Sequence, residues 1–131
     1  MRPGDTFFLH DGSDQHLHLW VVLSDPSQNS DRILIVNITS WKLYHDPSCP
    51  VEIGDHEWIK KRSLVNYKQA RFISLDRLEE LATLGQLERH VPAGATLLRK
   101  MRRRAGDSHH LLPAYYALLD DQGLVDLDDD D

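Results

Sequence analysis

Residues 16–40 constrain the fold of this chain more than any other part of it. They hold two apolar runs, Leu17-His18-Leu19-Trp20-Val21-Val22-Leu23 and Ile33-Leu34-Ile35-Val36-Asn37-Ile38, parted by the polar stretch Ser24 to Arg32. Both runs are rich in β-branched residues, too short for buried helices and bounded by turn formers, so they read as strands. The second is apolar without interruption up to Asn37, which predicts burial on both faces. Strand alternation puts His16, His18 and Trp20 on one face of the first run, with Leu17 and Leu19 on the other. Two imidazoles on one face serve as a metal-ligand pair, an acid–base pair or a polar patch, and the second run ends on Thr39 and Ser40.

The other elements follow from local signals. Pro3-Gly4 introduces a first strand, Thr6 to Leu9. Residues 41–56 are irregular apart from Val51-Glu52-Ile53, which could pair briefly. Ser63 to Tyr67 and Ala70 to Ile73 read as two more short extended segments. Ser74 is the N-cap of a helix whose buried stripe is Leu75, Leu78 and Leu81, ending near Gly85. Pro92 to Arg104 forms a second helix with Leu97, Leu98 and Met101 turned inward. Five strands followed by helices predict an α+β fold, a small antiparallel barrel with C-terminal helices.

At 131 residues the chain is one domain by size. Its net charge of −6 is unevenly placed: residues 120–131 carry seven of the 21 acidic side chains and no basic one. The remainder has 15 basic against 14 acidic residues, so the expectation is a nearly neutral domain over 1–119 and an acidic, disordered tail over 120–131. Net acidity therefore does not exclude a nucleic-acid partner. No apolar run approaches the ~20 residues of a membrane span. The start of the chain lacks a signal-peptide core, and the single Cys49 excludes an intrachain disulfide. These features point to the cytoplasm and away from membranes. Cys49, between Ser48 and Pro50, reads as incidental rather than as a nucleophile.

Two readings apply to the basic run Arg99 to Arg104. Cations at a helix C-terminus are favoured by its dipole, while five basic side chains in six residues also suit a phosphate-facing patch that includes Arg102 and Arg103. The acidic tail could cover such a patch, so its deletion should tighten polyanion binding.

Four segments in order resemble the PemK/MazF family of toxin-like endoribonucleases. Gly4-Asp5-Thr6-Phe7-Phe8 looks like the family's opening strand, and His18-Leu19-Trp20-Val21-Val22-Leu23-Ser24 looks like its Arg-Pro-x-Val-Val-Leu-Ser strand. Ile35-Val36-Asn37-Ile38-Thr39-Ser40 looks like the strand that ends in Thr-Thr or Thr-Ser. Residues 63–73, with Lys68-Gln69-Ala70-Arg71-Phe72-Ile73, look like the segment carrying Asp-Gln-x-Arg-x-Ile. The resemblance covers roughly residues 3–104 and implies an SH3-like barrel that dimerises, cleaves single-stranded RNA without a metal or other cofactor, and is held by an antitoxin protein. The chain departs from the pattern where the family's Arg is His18 and its Asp is Lys68. The segment between Trp41 and Arg62 also carries His45, Asp46, Cys49, His56 and Trp58, outside the usual pattern.

Metal-free cleavage at a 2′-hydroxyl needs a base, an acid and a cation for the phosphorane. Histidine supplies the first two near neutral pH. His18 or His16 with His56 would form the pair, Lys68 the fixed charge, and Thr39 or Ser40 hydrogen bonds to phosphate oxygens. Trp20, Trp41 and Arg71 would contact the strand, the aromatic rings by stacking on bases. The plain alternative is that His18 sits at a strand entrance and Thr39-Ser40 merely ends a strand. A non-catalytic module that binds nucleic acid or protein is the second class of function. A metal site built from His16, His18 and the 45–56 segment is a third, but its spacing matches no zinc signature.

Overall fold

A computed structural model describes residues 1–14 and 16–125. In chain order the elements are β1 (Thr6–Leu9), β2 (Leu19–Val22), β3 (Ile33–Ser40), β4 (Pro50–Val51), β5 (Ser63–Ile73), α1 (Leu75–Thr83), β6 (Leu87–His90), α2 (Ala95–Ala105) and α3 (Pro113–Asp121). The six strands form one antiparallel sheet in the order β4-β5-β3-β2-β1-β6, curled into a half-barrel, so the fold is α+β.

β3 is the centre of the sheet and is buried on both faces, as its unbroken apolar run requires. Leu34, Val36 and Ile38 point into a cluster with Leu19, Val21, Val65 and Tyr67, closed by Leu97, Leu98 and Met101 of α2. Ile33 and Ile35 point the other way, to Phe7, Leu9, Trp20 and Val22, covered by Leu78 and Leu81 of α1. Each such side chain contributes about 1.5–3 kcal/mol on burial, so two helices sandwiching one strand anchor the whole sheet. The Tyr67 hydroxyl, inside the first cluster, donates to the Met101 carbonyl at 2.6 Å and fastens β5 to α2.

Local signals explain several joints. The Ser74 hydroxyl accepts from the Arg77 amide and caps α1, and Gly85 takes φ +73° just past its end. Gly4 takes φ +85°, and a Cβ there would lie 3.2 Å from the Ala93 carbonyl, so the turn into β1 needs glycine.

The structure corrects the sequence reading at several points. β2 starts at Leu19, so His16, Leu17 and His18 all precede the strand. Residues 63–73 form one long strand rather than two, with a register break where Ile35 pairs Arg71 but Asn37 pairs Asn66. β6 is a sixth strand with only Leu87 buried, and it holds its place by pairing with all of β1. α3 is a third helix. Finally, residues 120–125 of the expected tail are part of the fold: Asp120 and Asp121 close α3, Gln122 hydrogen-bonds with Asp25, and Val125 is buried in the first core cluster. Residues 126–131 of that tail lie outside the described residues. No helix among the described residues is long and apolar enough to cross a membrane.

Candidate functional site

The site follows from a mismatch in strand length. Leu19, the first residue of β2, pairs with Ile38, so β3 runs two residues further, and Thr39 and Ser40 project past the end of β2. The incoming segment His16–His18 lies on one side of them. Trp58, Ile59, Lys60 and Lys61, from the long connection into β5, lie on the other. Together they enclose a cleft of about 580 Å³ to which Lys42 and Ser63 also contribute. Among the described residues the lining carries three lysines and two histidines and no carboxylate. Such a one-signed concavity attracts anions.

His18 enters the cleft with an oriented ring. Its Nδ1 lies 3.4 Å from an Asp14 carboxylate oxygen, and the other oxygen accepts the Trp20 indole N–H at 2.8 Å. A carboxylate on Nδ1 favours the tautomer that keeps the proton there and leaves Nε2 as the basic nitrogen. Asp14 is only 7% exposed in its side chain, so it acts from behind the ring.

The structure thus brings together four of the six residues expected to be catalytic: His16, His18, Thr39 and Ser40. The other two go elsewhere. His56 is buried, its Nδ1 accepts from the Trp58 amide at 3.0 Å, and its Nε2 donates to the Val91 carbonyl at 2.6 Å. Both nitrogens are engaged, so His56 holds the backbone that brings Trp58 to the cleft and has no nitrogen left for a proton transfer. Lys68 is exposed at the register break of β5 and lines a separate hollow.

The expected nucleic-acid contacts are also redistributed. Trp20 is 3% exposed in the α1-facing cluster and presents no face to a base, because its side of β2 is packed against β1 and α1. Arg71 lies on the Trp20 ring, 4.7 Å from its centroid, and reaches the Ser13 hydroxyl. Trp41 is half-buried beneath the Arg62 guanidinium, 3.9 Å away, outside the cleft lining. Arg102 donates through Nε to the Leu23 carbonyl at 2.8 Å, and its burial lowers its pKa, opposed by Asp25. It ties α2 to the end of β2. Arg103 is partly buried on the same helix. The residues that make the cleft basic, Lys42, Lys60 and Lys61, and the positioning carboxylate Asp14, escaped the sequence reading. Lys60-Lys61 directly after an aromatic-apolar pair was the available signal.

Among the described residues no group of three or more His, Cys, Asp or Glu side chains is placed to hold a metal ion. Cys49 is fully buried, and that burial pushes its thiol up to about 11. Set against models of known protein families and against curated proteins, the sequence matches neither.

Proposed function

We propose that the protein is a metal-independent endoribonuclease of the PemK/MazF type, built on an SH3-like barrel, and that the basic cleft is its RNA site. The observation that carries this reading is the meeting of His16, His18, Thr39 and Ser40 in one cleft with three lysines and, among the described residues, no acid. The chemistry is that of intramolecular transesterification. His18 Nε2 takes the proton of a 2′-hydroxyl, and the oxygen attacks the adjacent phosphorus. As that P–O bond forms, the bond to the 5′-oxygen breaks, and His16 returns a proton to the leaving oxygen. The products are a 2′,3′-cyclic phosphate and a 5′-hydroxyl. Lys60, Lys61 and Lys42 balance the charge on the phosphorane, with Thr39 and Ser40 hydroxyls as hydrogen-bond donors to its oxygens. Trp58 offers a ring at the cleft wall for an unstacked base. In this reading the partners are single-stranded RNA, a second copy of the chain and an antitoxin that fills the cleft.

The test is incubation of purified protein with long single-stranded RNA in EDTA, beside His18→Ala. Cleavage that disappears in the variant supports the reading. Tight binding with no cleavage, unchanged in the variant, replaces it with a non-catalytic binding module.

A further inference from the structure

Lys68, displaced from the cleft by the register break, marks a second concavity. Where β5 slips against β3, residues Lys68 and Gln69 are thrown outward, and the chain after β3 folds back beside them. The hollow between has a volume of about 420 Å³ and is lined by Tyr44, His45, Asn66, Lys68, Gln69 and His110, with Asp46 at its base. That volume lies within the ~300–1,000 Å³ usual for small-ligand sites.

Its polar groups are arranged for an outside partner. Asn37, fully buried, donates through its amide nitrogen to Gln69 Oε1 at 2.7 Å, which leaves the Gln69 amide N–H₂ directed to other acceptors. On the lining itself, His45 Nδ1 is buried with no hydrogen-bond partner among the described residues. Buried polar atoms are ordinarily satisfied, and exceptions concentrate where a water, ion or ligand completes the set. Asp46, the one acid among the described lining residues, is 7% exposed and already accepts from the Ser48 amide, the Ser48 hydroxyl and the Ser108 hydroxyl. Its charge is therefore engaged inside the protein, and Lys68 sets the sign at the mouth. Tyr44 stands at the rim, 81% exposed, steadied edge-on by the His45 ring at 4.9 Å.

We propose that this hollow is a second ligand site and that it takes a nucleotide, its base against Tyr44, its base edge read by the Gln69 and Asn66 amides, and its phosphate held by Lys68 and His110. An exposed ring, paired amides and a cation in one concavity provide stacking, edge recognition and charge, the three interactions a nucleotide needs. The site shares no lining residue with the cleft and does not depend on cleavage there. The nucleotide comes either free from solution or as one unit of a strand.

The test is a two-dimensional NMR titration of the full chain with adenosine 5′-monophosphate, with adenosine, with inorganic phosphate and with a short single-stranded RNA. Saturable shifts at Asn66, Lys68, Gln69 and His110 with the mononucleotide indicate a free ligand, and shifts with the RNA alone indicate a strand. Both support the site. Lys68→Ala, at an exposed position, should weaken them about tenfold, the effect of losing one charged hydrogen bond, and Lys60→Ala should leave the mononucleotide shifts intact. Absence of saturable shifts with mononucleotide and RNA, equal binding of inorganic phosphate alone, or shifts that persist undiminished in Lys68→Ala would each overturn the proposal.

Discussion

Asp14 uses its two carboxylate oxygens on two different aromatic side chains: one lies 3.4 Å from His18 Nδ1, and the other accepts the Trp20 indole N–H at 2.8 Å. The two contacts join the core of the sheet to the mouth of the cleft. Trp20 is fixed among Phe7, Leu9 and Val22, so the carboxylate it positions is fixed too, and so is the imidazole. Asp14→Asn keeps an acceptor for Trp20 but removes the charge that favours the Nδ1–H tautomer. We expect it to lower the RNA cleavage rate by about 10²-fold, the cost of a mis-set catalytic group, while the urea midpoint moves little. Single-turnover rates beside equilibrium unfolding separate the two effects.

Lys60 and Lys61 line the cleft, whereas Arg102 is tied to the Leu23 carbonyl. Lys60→Ala and Lys61→Ala should weaken RNA binding, each reducing the salt slope of log K by about 0.7, the value for one phosphate contact on a single strand. Arg102→Ala should leave that slope unchanged and cost stability, by about 1.5–3 kcal/mol for a charged hydrogen bond. Filter binding over a salt series and urea unfolding of the three variants check this.

Burial alone would raise the pKa of Asp46, but hydrogen bonds from Ser108 and Ser48 outweigh it and hold the carboxyl below its ordinary 3.8. A group depressed in the folded state stabilises above its unfolded pKa, and that contribution drains away as pH falls through the folded value. Asp46→Asn should therefore be less stable than the parent at neutral pH, and the gap should shrink in acid below the ordinary carboxyl range. Urea midpoints measured across the acid limb show whether the curves converge.

The Cys49 thiol is fully enclosed, and burial raises its pKa to about 11. The thiolate is the reactive form. Alkylation of native protein at mildly alkaline pH should be slow and should become rapid in denaturant; mass spectrometry of the alkylated fraction measures both.

The sequence made β1, β3, the Ser74 cap and the inward face of α2 legible, because each has a strong local cause: an unbroken apolar run, a hydroxyl before a periodic stripe, leucines at helical spacing. β6 was not legible, since Leu-Glu-Arg-His carries one apolar side chain and exists as a strand through its pairing with β1. α3 is weakly amphipathic and buries only Leu119. At the candidate site, His18, Thr39 and Ser40, which line one cleft, were singled out because strand ends with polar side chains stand out. His56 and Lys68 were assigned by chemistry alone. Whether an imidazole has a nitrogen left, or a register break carries a lysine off, depends on tertiary partners. Trp20 shows the same limit in reverse: alternation set its side of the strand, but the residues covering that side, Leu78 and Leu81 of α1, come from far along the chain.

The proposed chemistry is 2′-hydroxyl attack in the basic cleft without a metal. The most direct measurement compares an oligoribonucleotide with its 2′-O-methyl counterpart in EDTA, with end-group analysis of the products. The account predicts that only the unmodified strand is cut, leaving 2′,3′-cyclic phosphate and 5′-hydroxyl ends. Cleavage of the 2′-O-methyl strand, or cleavage that requires a divalent cation, would contradict it.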